Sequence, residues 1–385
     1  MKTVIKSILL KSNIGSKILQ LIQLSRLVQF SFTQNNKVKL PTSIQLPITN
    51  RCNSRCEMCD VWQMDTSGEM DINEFQKILS DPLFSQINSV GINGGEPTLV
   101  HNISQYAQAL CSLPKIRYLS IISHGFNTER ALRSIAQIKK ICEKANVKFH
   151  VSISLDGIDE VHNRVRNVPD VFQKTLTTIL SIKRDKRMYC DTFDVACTVV
   201  KGNVHELAEL EAFAELHELP IKYRLGISNK RIGSDRLLDQ FSVVSDEQYK
   251  FSAVEFFHWQ TIKASSLSEK FKYYAIFDWL QSSQPSRLLG CIWKDQGITL
   301  GPRGDLYYCA VASDCLGSLR EASGRELYAD PKNLRHRNDI IANSCDQCIH
   351  DYGGPITFKS YFKFIKFLIK NRFSLKLYKF KSLFG

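Results

Sequence analysis

Cys52-Asn-Ser-Arg-Cys56-Glu-Met-Cys59 places three thiols on one short stretch, directly after the apolar run 44–48. Thiolates are the usual ligands of iron–sulfur clusters, and a four-iron cube needs four of them. Three would leave one iron open to bind and reduce something. A zinc site short of its fourth ligand, or unrelated buried thiols, are the other readings of these residues. Cys291, Cys309, Cys345 and Cys348 form a second set downstream, with Cys315 left over. Cys-x2-Cys with two distant cysteines suits a closed four-iron cluster or a tetrahedral zinc site. Cys111, Cys142, Cys190 and Cys197 stand singly in apolar segments and read as core.

Two further stretches carry groups able to hold a polar ligand. In Ser89-Val-Gly-Ile-Asn-Gly-Gly-Glu-Pro-Thr98, paired glycines end an apolar run; they allow close backbone approach, and free strand-end carbonyls can accept from an ammonium group. In Ser152-Ile-Ser-Leu-Asp-Gly157, Ser154 and Asp156 leave a strand end on one face, suited to sugar hydroxyls. Arg164 and Arg166 follow, each with a planar fork that matches a carboxylate. Tyr223, Arg224 and Asn229 are weaker candidates for a pocket wall.

These residues need a scaffold that brings strand ends together. Apolar runs at 43–48, 89–92, 118–122, 149–155, 192–200 and 221–225 alternate with helical patterns at 71–79, 103–111, 130–145, 171–183 and 204–217. Asp71 and Glu74 have capping-box spacing. Strands alternating with helices imply a parallel sheet, so the expected fold is α/β, a partial (β/α)6 TIM-like barrel with a small C-terminal cluster-binding domain. The expected division is a basic leader 1–42, the barrel 43–230, a helical connector 231–290, a cluster domain 291–353 without a long helix, and a basic tail 354–385.

The composition, with 43% hydrophobic and 23% charged residues, is that of a globular protein. Its charge is uneven. Met1–Asn50 carries seven basic residues, Lys359–Gly385 carries eight, and neither holds an acid, which more than accounts for the net +13. Lys6, Lys11 and Lys17 break the N-terminal apolar runs short of signal-peptide length, so a cytoplasmic, reducing location is expected for the twelve cysteines, with metal ligation rather than disulfides. Tyr361, Phe362, Phe364, Ile365, Phe367, Leu368 and Ile369 alternate with lysines at helical spacing, as in a helix lying in the inner face of an anionic membrane. Nucleic acid is not expected, because a phosphate-binding face has little use for so many aliphatic side chains.

The cysteine loop after the first strand resembles the signature of the radical S-adenosylmethionine (SAM) superfamily, with Met58 where that family usually has an aromatic residue. The resemblance covers residues 43–353. It implies a SAM-binding [4Fe-4S] cluster on Cys52, Cys56 and Cys59. It places Gly94, Gly95 and Glu96 around the methionine amino group, Ser154 and Asp156 at the ribose, Arg166 at an HDxxR-like position, and Met58 against the cofactor's apolar edge. Cys291, Cys309, Cys345 and Cys348 resemble a twitch form of the SPASM-type domain, implying an auxiliary [4Fe-4S] cluster. The implied activity is reductive cleavage of SAM to a 5′-deoxyadenosyl radical that takes hydrogen from substrate. The first expectation is an oxidoreductase acting on a sugar-like or small-metabolite carbinol, small or lipid-linked, with the auxiliary cluster as electron acceptor and flavodoxin or ferredoxin as reductant. A peptide maturase forming thioether or carbon–carbon crosslinks, and an idle iron–sulfur scaffold, are the alternatives.

Overall fold

The computed structural model describes residues 39–350, 354 and 356–371. Most of the expected leader, and the tail beyond residue 371, lie outside the described residues. One nine-stranded sheet dominates, in the order β6-β5-β4-β3-β2-β1-β7-β8-β9. Strands β1 (Ser43–Pro47), β2 (Ser89–Asn93), β3 (Tyr118–Ser123), β4 (Lys148–Ser154), β5 (Thr192–Val199) and β6 (Ile221–Leu225) are the six runs expected from the sequence, and each pairs in parallel with the next. Their alternate side chains Ile44, Leu46, Val90, Ile92, Leu119, Ile121, Val151, Ile153, Val195 and Cys197 are buried. Each large aliphatic side chain so buried contributes on the order of 2 kcal/mol.

Between strands run α1 (Ile72–Leu79), α2 (Ile103–Cys111), α3 (Thr128–Lys144), α4 (Asp159–Arg166), α5 (Phe172–Arg184) and α6 (Leu207–Leu216). Helix α1 starts in the expected capping box: Glu74 N donates to Asp71 Oδ1 at 2.9 Å, and Asp71 N to Glu74 Oε2 at 3.3 Å. Helix α4 was not anticipated as a separate element, since its eight residues contain few apolar positions and only His162 and Val165 are buried.

The sheet also continues past its expected edge. β7 (Gly297–Leu300) lies parallel against the far side of β1, with Ser43 opposite Gly297, and β8 (Asp305–Tyr307) and β9 (Gly317–Ser318) follow antiparallel. Strands inside the 291–353 stretch thus extend the barrel's own sheet. The loop after β6 crosses to the opposite end of the sheet order: Lys230 N donates to Val311 O at 2.9 Å and Arg231 N to Ala310 O at 3.4 Å. The sheet is curled, although no strand pair closes it among the described residues.

Two compact units emerge, one of the described residues up to Tyr249 with Trp293–Cys345, the other of Lys250–Ile292 with the described residues from Asp346 onward. Helix α7 (Glu247–Lys263) runs from the first into the second, where α8 (Leu267–Gln281) follows. The expectation that the cluster stretch lacks a long helix is corrected by α9 (Pro331–Asn343) in the first unit. Ile340 is its one buried residue, so periodicity could not reveal it; the signal was Asp330-Pro331, where Asp330 accepts from Lys332 N at 2.7 Å and proline occupies the first turn. In the second unit α10 (Phe358–Lys370) packs Phe364 against Phe271 and Tyr274 of α8, with ring centroids 5.0 and 5.3 Å apart. Its Lys363 pairs with Asp278 at 2.7 Å.

Candidate active site at the cysteine loop

Strand β1 delivers the chain to Cys52, and the entrance to the loop is fixed by the end of β2. Ile48 N donates to Asn93 O, Gly95 N to Thr49 O and Glu96 N to Arg51 O, at 2.9, 2.7 and 2.8 Å. This explains the paired glycines. A Cβ on Gly94, whose φ is +129°, would lie 2.4 Å from Thr49 O, and one on Gly95 would lie 2.1 Å from Arg51 O. Their role visible in the structure is to let the β2 turn dock on the cysteine loop's own backbone. That close approach also brings strand-end carbonyls to the loop mouth.

Glu96 is almost fully buried. Its Oε1 accepts from Thr98 Oγ1 at 2.6 Å and Ser123 Oγ at 2.8 Å, and its Oε2 accepts from His124 N at 3.0 Å. The carboxylate therefore ties the ends of β2 and β3 together. His124, stacked on Phe126 at 3.7 Å, reaches Asn53 Oδ1 at 2.8 Å, so this cage also holds the residue after Cys52.

Helix α4 holds the loop's far side. Arg55 N donates to Arg166 O and Glu57 N to Val165 O, both at 3.1 Å, and Ser54 Oγ donates to Arg166 O at 3.1 Å. The cysteine loop thereby satisfies the carbonyls that every helix C-terminus leaves open. Ser54 Oγ also lies 3.0 Å from Cys56 Sγ, and Ser54 N donates to Cys52 Sγ at 3.4 Å. Arg166 Nη1 donates to Cys56 Sγ at 3.6 Å while Nη2 sits 2.6 Å from Asp156 Oδ2. Asp156 is fully buried; its Oδ1 accepts from Thr198 N at 2.8 Å, and its own N donates to His162 Nδ1 at 3.1 Å.

The fork of Arg166 is thus committed to Asp156 and Cys56, where the sequence suggested a ligand's carboxylate for the arginine and a ribose for the aspartate. Ser154 is buried at the end of β4. Met58 packs against the buried Val165, Val200 and Phe241. Tyr223 points away from chemistry altogether: its hydroxyl donates to Glu211 at 2.6 Å in the interior. Ser54, Asn53, His124, His162 and Arg231 escaped the sequence reading, because no spacing rule singles them out before α4, the β3 end and the loop after β6 are packed around the cysteine loop.

Burial pushes the Cys52 thiol up to about 12, with Cys56, Glu96 and Cys59 adding to the effect, and pushes Cys59 up to about 11. Free thiolates are disfavoured there, so the loop suits a cationic centre that supplies the missing charge. Burial opposes the charge on Arg166, yet Asp156 and Cys56 outweigh it and hold the guanidinium above its ordinary value. Among the described residues no three His, Cys, Asp or Glu side chains converge as on a single ion; a four-iron cluster instead takes each thiolate on a different iron. Buried polar atoms without a hydrogen-bond partner among the described residues include Asn50 Oδ1, Asn93 Oδ1, Arg166 Nε and Arg231 Nε. All four belong to segments that leave strand ends or meet the cysteine loop, as a site built for a polar ligand requires.

Of the second cysteine set, Cys309, Cys315 and Cys345 lie in the sheet unit and Cys291 and Cys348 in the other. In the latter, Arg287 donates to the carbonyls of Leu289, Cys348 and His350 at 2.7, 2.9 and 2.6 Å, clamping the segments beside Cys291 and Cys348. Arg287 is a further residue that spacing alone does not single out.

With this geometry in hand, residues 46–210 match the Radical SAM superfamily. The cofactors of that family are a [4Fe-4S] cluster and SAM. The chain is similar to a GTP 3',8-cyclase of Trichodesmium erythraeum, at 25% identity over 54% of this chain and 62% of that protein. It is also similar to the sporulation killing factor maturation protein SkfB of Bacillus subtilis, at 24% identity over 44% of this chain and 39% of the other. It thus spans less than two thirds of the length of these relatives. Its fold is similar to that of native anSMEcpe with bound AdoMet and Cp18Cys peptide, with a TM-score of 0.56 and 15% identity over 87% of this chain and 98% of the other.

Proposed function

We propose that the chain is a radical SAM enzyme that modifies a peptide substrate. The observation that carries the enzymatic part is the loop of Cys52, Cys56 and Cys59 at the C-terminal end of β1, braced by Arg166 and Ser54. Bound there, the cluster and SAM would supply a 5′-deoxyadenosyl radical able to take hydrogen from an unactivated carbon. The chain's own part is to space the three thiols, to neutralise the Cys56 side with Arg166, and to offer polar strand ends to SAM. Gly94 and Gly95 bring the β2 carbonyls to the loop, and Ser154 stands at the β4 end.

The peptide reading is preferred over the carbinol oxidation first expected. Support comes from SkfB, a maturation protein, among the relatives, and from the fold shared with a peptide-bound structure. A second cluster on Cys291, Cys309, Cys345 and Cys348, accepting an electron from the substrate, is inferred from cysteine spacing, and flavodoxin or ferredoxin is the expected reductant. The test is anaerobic reconstitution with iron and sulfide, then reduction with SAM present. Formation of 5′-deoxyadenosine supports the enzymatic reading; its absence in iron-loaded protein refutes it.

We also propose that α10 rests on anionic membrane. Phe358, Phe362 and Ile369 are 52, 66 and 68% exposed beside Lys359, Lys363, Lys366 and Lys370. Among the described residues no helix is long and apolar enough to cross a membrane.

A further inference from the structure

A cleft of about 250 Å³ opens beside the cysteine loop, between the chain leaving β1, the loop after β6 and the turn joining β7 to β8. Asn50, Asp65, Arg231, Arg303, Asp305 and Tyr307 are among its walls, and Asp305 forms no ion pair with either arginine among the described residues. At the rim, Arg303 is already neutralised by Asp65, 3.3 Å away. Arg231 is different. No carboxylate among the described residues pairs with it, and its Nε is buried without a hydrogen-bond partner. Its charge and that of Cys59 are close enough to affect one another. A guanidinium whose Nε is buried without a partner and which lacks a counter-ion is unfavourable, and an anion occupying the site relieves that cost.

Asn50 supplies the second, independent observation. It is 3% exposed, lines the same cleft, and its Nδ2 donates to Asp65 O at 3.2 Å. Its Oδ1 has no hydrogen-bond partner among the described residues. A buried acceptor and a buried cationic donor therefore face one cleft, both unsatisfied. The complementary ligand presents a carboxylate with an N–H donor nearby, the pattern of an acidic residue in a peptide.

Resting on the peptide reading above, we infer that this cleft anchors an acidic residue of the substrate, Arg231 taking its carboxylate and Asn50 Oδ1 accepting from an adjacent peptide N–H. The backbone bonds from Lys230 and Arg231 to Val311 and Ala310 set the arginine across the mouth of the curled sheet. A substrate held there lies beside the loop that carries Cys59, whose charge Arg231 feels.

The test uses the full chain and two blocked tripeptides, acetyl-Gly-Asp-Gly-amide and acetyl-Gly-Asn-Gly-amide, titrated calorimetrically. The wild type should bind the acidic peptide at least tenfold more tightly. Arg231→Gln should erase that preference, Arg231→Lys should keep part of it, and all three proteins should bind SAM equally by equilibrium dialysis. Equal binding of the two peptides by the wild type overturns the inference, whatever the fate of the variants. Parallel loss of SAM binding in Arg231→Gln also overturns it, by assigning Arg231 to the carboxylate of SAM itself. Absence of 5′-deoxyadenosine in the reduced enzyme would count against the radical chemistry alone, because the peptide preference is read without turnover.

Discussion

Asp156 and Arg166 form an ion pair 2.6 Å long between the end of β4 and the last residue of α4, and the other arm of the arginine reaches Cys56 Sγ. One buried carboxylate thus orients the guanidinium that braces the Cys56 thiol. Removing one member of a buried pair leaves the other uncompensated, at a cost of about 3–5 kcal/mol. Arg166→Met should lower the urea midpoint accordingly and reduce reconstituted iron. Asp156→Asn with Arg166→Met should recover stability but not iron content. Recovery of both would show that the pair serves the fold alone.

Gly95→Ala tests the docking of β2 on the loop. The new methyl meets Arg51 O at 2.1 Å, and the neighbour is backbone, which cannot swing aside. Overpacking of this kind costs roughly 1–3 kcal/mol. Displacement of Arg51 also shifts Cys52, so iron bound per chain should fall more steeply than stability. A variant with full iron content would contradict this account.

Cysteine substitutions should separate the two expected clusters. Cys52→Ser should reduce reconstituted iron from about eight to about four per chain and abolish 5′-deoxyadenosine formation. Cys348→Ser should give a similar iron loss yet still cleave SAM. Mössbauer spectra and product chromatography check both. Four irons with stoichiometric zinc in the wild type would replace the second cluster by a zinc site.

Two buried histidines predict the pH dependence. Burial lowers His162 well below its usual value, helped by Arg166, and burial also lowers His124. The unfolded chain then takes up protons that the native chain refuses. Their stabilising contribution is complete above about pH 6.5 and is lost as pH falls toward the folded values, by ~1.4 kcal/mol per pH unit for each histidine. His162 Nδ1 accepts from Asp156 N, so protonating it would set two donors face to face. Urea midpoints between pH 8 and 5.5 should decline, and His162→Gln should roughly halve the decline; an unchanged slope would remove His162 from the account.

Flotation with vesicles containing phosphatidylserine tests α10. The full chain should float, and the double variant Phe358→Ser/Phe362→Ser should sediment, with each chain's fold confirmed by circular dichroism. Neither side chain is buried, so stability should change by less than about 0.5 kcal/mol. Equal flotation of both proteins argues against a membrane role for this face.

Local chemistry made much of this protein readable from its chain. The alternation of apolar runs with helical patterns located all six parallel strands, because a strand that buries alternate side chains carries apolar residues there whatever its partners. Asp71 and Glu74 marked a helix start through a bond spanning three residues, and type and spacing alone marked Cys52, Cys56 and Cys59 as candidate ligands. Tertiary structure decided what these features face. Asp156 and Arg166 are ten positions apart and each carries a charge suited to a ligand; only the return of α4 onto the cysteine loop commits them to one another. Gly94 and Gly95 read as openings for a ligand, but the contact that forbids a side chain there is the backbone of Thr49 and Arg51. β7 joins β1 across some 250 residues, and Arg231 comes to line a cleft with Asn50 because the sheet curls. No periodicity encodes such meetings, since the cost of an unpaired charge or a colliding methyl exists only once distant segments have been packed together.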